Sequence, residues 1–191
     1  VTLTLPQDYN PVAWRGPVVS NAIRQFYSET NWGEIDYLFV DMPPGTGDIQ
    51  LTLSQQVPLT GAVVVTTPQD IALIDAKKGL RMFQKVNVPI LGIIENMSVF
   101  ICPHCGEVEH IFGEGGAKRM SEQYGVPLLG ELPLSAKIRE QADSGLPTVA
   151  AEPDGKEALM YREMAMKVAG ALARITKDYT AKMPGIRVVN D

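Results

Sequence analysis

The sequence predicts an α/β protein with a mostly parallel sheet flanked by helices. Short runs of aliphatic and β-branched residues alternate along the chain with segments of helical period. The runs at 37–41, 61–66, 89–94 and, more weakly, 126–130 are apolar on both faces. Parallel strands that are covered by helices on both sides require this pattern. We therefore expect these four runs to be strands.

Four helices are predicted before, between and after these runs, besides a short one that carries Ala117 and Met120. Pro17 can begin the first, the second begins after Thr67-Pro68, and the third is short. The last is opened by a capping box of Asp154 and Glu157. Their apolar positions are Val19, Ala22, Ile23, Phe26 and Tyr27; Leu73, Ala76, Leu80 and Phe83; Ile138 and Ala142; and Ala158, Tyr161, Ala165, Val168, Ala169 and Leu172. We expect one domain over 1–178 and an irregular tail over 179–191.

Composition excludes several classes of function. A chain of 191 residues with 45% hydrophobic and 20% charged residues fits a single globular domain. Its net charge is −5, and the 17 lysines and arginines are scattered, so we expect neither nucleic acid nor an anionic membrane as a partner. No apolar run is long enough to span a bilayer, and no signal-like segment is present. A cytoplasmic location is expected.

The segment 37–48 is the most informative stretch of the sequence. Asp41 ends a predicted buried strand, which places its carboxylate at the carboxyl edge of the sheet, where α/β proteins bind ligands. In P-loop enzymes such an acid holds Mg²⁺. Pro43 and Pro44 then lead to Gly45, where the backbone can approach a phosphate because no Cβ intervenes, and such a segment can act as a switch. The alternative is that Asp41 only caps a turn.

This segment, together with others, resembles the Mrp/ApbC family. The string Pro-Pro-Gly-Thr-Gly-Asp at 43–48 is preceded by Trp-Arg-Gly-Pro at 14–17 and followed by Val-Thr-Thr-Pro-Gln at 65–69 and Glu-Asn-Met at 95–97. Members of that family are iron–sulfur cluster carriers and relatives of MinD among the deviant P-loop ATPases. The resemblance runs from about Trp14 to the last helix. It implies a P-loop NTPase fold of the MinD type.

The resemblance also implies roles for individual residues. Asp41 would be the Mg²⁺-associated acid, and Pro44 and Gly45 would lie in the switch that faces the γ-phosphate, so that Asp41 and Gly45 are the implied catalytic positions. Asn96 would bind the adenine edge, and Pro133 would lie against the base. Without the resemblance, Asn96 is a residue that strand-end turns favour.

The two cysteines form a Cys-Pro-His-Cys-Gly motif at 102–106. Two thiolates at this spacing can bind one tetrahedral metal or two corners of a cluster. No other cysteine exists, and we expect His104 and His110 to be exposed loop residues and not ligands. The simplest completion is a two-fold dimer in which each chain supplies Cys102 and Cys105. The family implies a [4Fe–4S] cluster bridging that homodimer, while zinc would satisfy the same ligands.

Three other functions remain open. Thiol–disulfide exchange would need a helix directly after the cysteines, but the chain continues with a turn-rich segment at 106–116. A MinD-like positioning ATPase with structural zinc would need a basic membrane helix. The last predicted helix carries Arg162 and Lys167 but also Glu157 and Glu163, which is typical of a packed helix. The third alternative is a non-enzymatic metal-binding module that acts by dimerising.

No phosphate-binding loop is found in the sequence. The glycine-rich stretch at 113–118 lacks the Gly-Lys-Ser/Thr ending, follows no buried strand, and is predicted to lead into a short helix with Ala117 and Met120. The chain begins with Val1, so we expect an upstream segment to be missing and the sheet to lack at least one strand. For the intact protein, the resemblance to the Mrp/ApbC family implies an ATP hydrolase that passes clusters from an assembly scaffold to apo-proteins. This chain alone is expected to be inactive.

Overall fold

The structure is a computed structural model, and it describes residues 25–42 and 47–175. Residues 25–29 are helical. The helices that follow are α1 (Asp48–Gln56), α2 (Asp70–Lys85), α3 (Gly116–Tyr124), α4 (Ala136–Asp143), α5 (Thr148–Ala151) and α6 (Lys156–Ala173). The strands are β1 (Ala62–Thr66), β2 (Ile90–Glu95), β3 (Phe100–Ile101), β4 (Val108–Glu109) and β5 (Leu128–Glu131).

The main sheet has three parallel strands in the order β1-β2-β5. Thr66 pairs with Glu95, and Glu95 pairs with Glu131, so the carboxyl ends of all three strands lie at one edge. β3 and β4 form a separate antiparallel pair that is inserted between β2 and α3. The predicted α/β class with a parallel sheet and helices against it is confirmed, and three of the four predicted strands are present.

The core lies between the sheet and helices α2 and α3. Its buried side chains come from two strands, two helices and the residue that leads into β5. They are Val64, Leu73, Leu80, Ile93, Ala117, Met120 and Val126. On the β5 side, α6 packs against β5 and β2 and buries Ala158 and Met164. Because removal of these apolar surfaces from water is the main favourable term in folding, this layer holds the sheet edge in place.

The predicted strand at 37–41 is wrong. Residues 37–41 form no strand, and Phe39 is 80% exposed and Tyr37 56% exposed. A strand persists only where a neighbour accepts and donates its backbone hydrogen bonds. Within the described ranges, neither this run nor the outer edge of β1 has such a neighbour. The apolar pattern is therefore present without the pairing that would make it a strand.

The predicted capping box on the last helix is also wrong. α6 begins at Lys156 with Gly155 as its N-cap, and no side chain caps it. Asp154 therefore precedes the cap, and Glu157 is the second helical residue instead of the third, so the reciprocal bonds of a capping box cannot form. Ala165, placed on the predicted apolar face, is exposed.

Several expectations fall on residues that the structure does not describe. These are the segment around Trp14 and Pro17, the first part of the helix that includes Val19, and the tail from 179. Within the described residues, no helix combines the length and the hydropathy that a membrane span requires.

Candidate functional site

The cysteine pair lies in the turn of a short hairpin. We refer to residues 100–109, which comprise β3, the turn and β4, as the cysteine hairpin. The backbone N–H of Gly106 donates to the carbonyl of Cys102 at 2.9 Å, and the N–H of Cys102 donates to the carbonyl of Glu107 at 2.9 Å. Gly106 has φ = 74°, a conformation that glycine adopts without a steric penalty. Local backbone bonds alone therefore form this turn.

The same turn changes the chemistry of Cys102. The backbone N–H of Cys105 is the main cause of a lowered pKa at the Cys102 thiol, followed by the N–H of His104 and by the Cys105 thiol. Hydrogen bonds to sulfur favour the thiolate, which is the form that binds metal. Both cysteines are free. The turn is therefore organised to present sulfur as a ligand.

The tip of the hairpin projects from the molecule. Every residue from 103 to 111 is exposed, and Cys102 is half-buried. His104 and His110 are exposed, as predicted, and His110 lies only at 3.9 Å from a carboxylate oxygen of Glu114. Within the described ranges, no group of three or more His, Cys, Asp or Glu side chains could hold a metal ion. The hairpin thus offers two of the four ligands that a tetrahedral site or a cluster needs.

A second group of predicted residues lies where β2 and β5 end. The N–H of Leu132 donates to the carbonyl of Glu95 at 2.8 Å, and the N–H of Ser98 donates to the carbonyl of Leu132 at 2.9 Å. The loops that carry Asn96 and Pro133 are therefore hydrogen-bonded neighbours at the carboxyl edge of the sheet. Ligands of open α/β sheets bind at this edge.

Asn96 is held by its backbone and leaves part of its side chain available. Its N–H donates to the carbonyl of Thr66 at 2.7 Å, and its side-chain oxygen accepts from the N–H of Met97 at 2.9 Å. Met97 has φ = 55°, which a non-glycine residue rarely adopts. The amide nitrogen of Asn96 has no acceptor in the described part of the chain. It can donate to a ligand at this edge.

Pro133 lines a cavity of about 350 Å³ between β5, the base of the cysteine hairpin and α6. Ile101, Met160 and Met164 are among the residues on its walls, but Asn96 is not. Lys167 also lines it, with its Nζ donating to the carbonyl of Leu129 at 2.9 Å and pairing with Glu163. The structure therefore places Asn96 and Pro133 in adjacent loops without joining them in one cavity.

The predicted metal and phosphate residues are not assembled in the same way. Asp41 is exposed and lies outside the sheet, and Pro44 and Gly45 lie outside the described residues. The glycine-rich stretch at 113–118, rejected as a phosphate loop, leads into α3 as predicted, with Ala117 and Met120 buried.

Sequence reasoning missed the role of Glu95. Its side chain is 1% exposed and accepts a hydrogen bond of 2.6 Å from the N–H of Ala117. The signal that could have found it is an acid at the end of a buried strand. Asp41 follows an apolar run in the same way.

These features define the class of protein: an α/β protein with a parallel sheet and a cysteine hairpin inserted after its central strand. A family model described as the NUBPL iron-transfer P-loop NTPase matches residues 1–169. The chain belongs to this family of iron–sulfur cluster carrier and transfer proteins. The resemblance found in the sequence is thereby confirmed.

Relatives of this chain are named for cluster transport. The iron–sulfur cluster carrier protein of Pseudomonas fragi is 57% identical over 162 residues, which are 85% of this chain and 56% of that protein. The carrier of Escherichia coli K12 is 58% identical over 88% of this chain and 46% of its own length. The iron–sulfur cluster transfer protein NUBPL of Dictyostelium discoideum is 48% identical over 91% of this chain and 54% of its own length. The chain therefore spans about half the length of these relatives.

Solved structures agree on the fold. The nucleotide-binding protein of Archaeoglobus fulgidus, in complex with ADP, is 35% identical with a TM-score of 0.64 and covers 75% of this chain and 57% of its own. The septum site-determining protein MinD of Pyrococcus horikoshii, with Mg-ADP, is 24% identical with a TM-score of 0.59. The match covers 84% of this chain and 60% of that protein. The second likeness concerns the fold alone. The fold is that of the MinD-like P-loop NTPases.

Proposed function

We propose that this chain is the cluster-binding part of an ATP-dependent iron–sulfur cluster carrier. Two copies share one [4Fe–4S] cluster as cargo through Cys102 and Cys105 of each chain, and the cluster passes to apo-proteins. The observation that carries the proposal is the cysteine hairpin, which brings a half-buried Cys102, whose sulfur accepts backbone hydrogen bonds, and an exposed Cys105 into one turn. The described residues add no third ligand beside them.

The ligand chemistry suits this cargo. Thiolates are soft donors that select iron–sulfur clusters, zinc and copper(I). A two-fold axis next to the exposed turn would bring the same two cysteines of a second chain to the open side of the cluster. The names of the relatives favour iron and sulfide over zinc. We propose that the carrier acts in the cytoplasm, where thiols stay reduced.

Nucleotide would bind at the carboxyl edge of the sheet. In this proposal Asn96 donates its unused amide N–H to the adenine edge, and Pro133 lies against the base. Asp41 holds Mg²⁺ while Pro44 and Gly45 contact the γ-phosphate, as positions of a switch that responds to hydrolysis. The neighbour from Archaeoglobus fulgidus, solved with ADP, supports nucleotide binding by this fold. ATP hydrolysis is proposed for the intact protein and not for this chain alone.

Cluster release would proceed by exchange of thiolates. A thiol of the recipient protein loses its proton and forms a bond to iron, and the bond from that iron to Cys105 or Cys102 breaks. The leaving sulfur either takes up that proton or departs as a thiolate while the proton passes to water. Cys105 is the more exposed cysteine and would be reached first. The backbone N–H groups that lower the pKa of Cys102 stabilise it as the leaving thiolate.

The lowered pKa of Cys102 would also suit thiol–disulfide exchange. In thioredoxin-like proteins, however, the reactive cysteine lies at the start of a helix. Here β4 and a turn follow the cysteines, and the next helix begins only at Gly116. The positioning-ATPase alternative is disfavoured because α6 packs against β5 and β2.

Anaerobic reconstitution with iron and sulfide tests the proposal. The wild-type chain should develop the visible absorption of an iron–sulfur cluster, whereas Cys102→Ala and Cys105→Ala should each lose most of it. His110→Ala, an exposed residue near the same hairpin, is the matched control and should load normally. A Cys102→Ala chain that retains the full absorption band would contradict the proposal. If the purified wild-type chain contains zinc but neither iron nor sulfide after the loading reaction, the cluster proposal is replaced by a structural zinc site.

A further inference from the structure

Glu95 is the one buried acid among the side chains that the structure describes. It ends β2, and only 1% of its surface is exposed. A buried carboxylate is costly unless hydrogen bonds or a favourable field compensate it. Its position and its partner therefore need a physical explanation, which neither the cluster ligands nor the nucleotide residues provide.

The partner of Glu95 is the beginning of α3. The N–H of Ala117 donates to Oε2 of Glu95 at 2.6 Å. Gly115, the N-cap of α3, has no side chain to offer, and no side chain caps the helix from that position. Glu95 satisfies one of the free N–H groups of the first turn, where the helix dipole favours a negative charge. The carboxylate thus replaces the missing N-cap side chain.

This hydrogen bond closes the base of the segment that carries the cysteines. The chain leaves the sheet after Glu95, passes through a segment over residues 96–115 that contains the cysteine hairpin, and returns at Gly116. On the outgoing side, Ser98 and Val99 are hydrogen-bonded to Leu132 and Leu134. On the returning side, the Glu95 carboxylate supplies a side-chain hydrogen bond that ties the start of α3 to β2.

The returning side also packs tightly against the loop after β1. A Cβ added to Gly116 would lie 2.9 Å from the carbonyl oxygen of Pro68 and 2.8 Å from Cδ1 of Leu73. The base of the segment therefore has little freedom while the Glu95 bond is formed. Without that bond, the first turn of α3 would have to find another acceptor, and the returning side would keep only the apolar core that Ala117 and Met120 share with Ile93 of β2.

We propose that Glu95 is a positioning residue for the cluster carrier: its carboxylate fixes the base of the cysteine hairpin and so determines how long the cysteines retain the cluster. The inference rests on the proposed function, because it concerns cargo held by Cys102 and Cys105. Residues that orient metal ligands without touching the metal commonly change metal affinity by about 10–100-fold when they are replaced. Glu95 acts on the cysteines in this way, through Ala117 and the hairpin base.

The test compares three replacements at this position. Glu95→Gln keeps an oxygen acceptor at the same distance, Glu95→Asp keeps the charge but is one methylene too short to reach Ala117, and Glu95→Ala removes both. Each chain is loaded with iron and sulfide at the same protein concentration. The rate of absorbance loss after excess EDTA is added measures retention, and visible circular dichroism reports the cluster environment. A thermal unfolding curve is recorded for each variant.

We expect Glu95→Ala and Glu95→Asp to lose the cluster about tenfold or more faster than wild type, with altered circular dichroism, as for other replacements around metal ligands. Glu95→Gln should remain within about threefold, because its oxygen still accepts from Ala117. Leu80→Ala is the control, since Leu80 is fully buried in the core and lies outside the hairpin base. It should lower the unfolding temperature without changing retention below that temperature.

Two results would overturn the inference. The first is a Glu95→Asp or Glu95→Ala chain that folds and keeps the cluster as long as wild type. The second is a Glu95 variant that loses the cluster at the same rate as a Leu80→Ala chain with the same unfolding temperature. Glu95 would then be an ordinary core residue. A wild-type chain that takes up no cluster would overturn both this inference and the proposed function, whereas normal loading with unchanged retention in the variants would overturn only the inference.

Discussion

Strand β2 and the cysteine hairpin are close neighbours in the chain, yet different forces give them their shapes. Every residue of β2 is buried or half-buried, and the strand is paired on both sides, by β1 and β5. The hairpin has two residues in each strand, exposes its tip, and closes its turn with backbone bonds between residues four and five positions apart. β2 therefore needs the whole domain, whereas the hairpin turn needs mainly its own residues and a fixed base.

This difference separates stability from chemistry. Changes in β2 should act on the free energy of unfolding, and changes at the hairpin tip should act on the ligands and leave global stability nearly unchanged.

Ile93→Ala should be the most destabilising of these changes. Ile93 is fully buried at the centre of the core, and its truncation leaves a cavity that costs about 2–5 kcal/mol. Val108 in β4 is 56% exposed, so Val108→Ala should stay within about 0.5 kcal/mol of wild type. Denaturant unfolding of both variants measures the difference. Equal losses would mean that the hairpin belongs to the cooperative core.

Gly92→Ala should destabilise the same strand by overpacking. A Cβ at this position would lie 2.3 Å from Cγ of Leu129, and such crowding costs about 1–3 kcal/mol. Gly79→Ala in α2 is the control, because no atom lies within 4 Å of its added Cβ and alanine favours a helix interior by about 0.5–1 kcal/mol. Thermal unfolding should therefore move in opposite directions for the two variants. A stabilised Gly92→Ala chain would contradict the packing of β5 on β2.

Gly106→Ala should affect the hairpin and hardly affect the core. Nothing lies within 4 Å of an added Cβ, but the left-handed backbone at φ = 74° costs a non-glycine residue about 1–2 kcal/mol. Because the turn is exposed, local distortion can relieve this strain. We expect a small change in unfolding temperature and a clear reduction in cluster loading. A Gly106→Ala chain that loads the cluster normally but loses much of its stability would assign Gly106 to the core and not to the ligand turn.

The thiol of Cys102 should titrate below an ordinary cysteine. Its pKa is lowered in the folded state by the N–H groups of Cys105 and His104, so this group contributes stability above the unfolded pKa and loses it as the pH falls through the folded pKa. Alkylation with iodoacetamide, followed by mass spectrometry over a pH series, should give a lower midpoint for Cys102 in the native chain than in 8 M urea. Identical midpoints would show that the turn does not hold the sulfur.

The parts of the structure that the sequence predicted are those governed by local patterns. β1, β2, β5 and α2 follow from apolar runs and helical periods, and the cysteine turn follows from its residue types. The run at 37–41 has the same apolar pattern but no pairing partner within the described residues, and such a partner cannot be seen in a local window. The capping box failed because Gly155 took the N-cap position. The Glu95–Ala117 bond joins residues 22 positions apart, and only the fold shows it.

The candidate site divides in the same way. The sequence was sufficient to predict that Cys102 and Cys105 lie together in one turn, and their role as ligands stays a prediction. The nucleotide side depends on which strands lie next to each other, and within the described residues only the loops of Asn96 and Pro133 are brought together. The roles of Asp41, Pro44 and Gly45 therefore remain predictions.

The stoichiometry of the loaded protein tests the central claim most directly. Two thiolates per chain predict one [4Fe–4S] cluster for every two chains. Native mass spectrometry after anaerobic loading should show a dimer that carries four iron and four sulfide ions, and Cys105→Ala should give an iron-free monomer. A single chain that carries a complete cluster, or a loaded dimer that forms without either cysteine, would contradict the account.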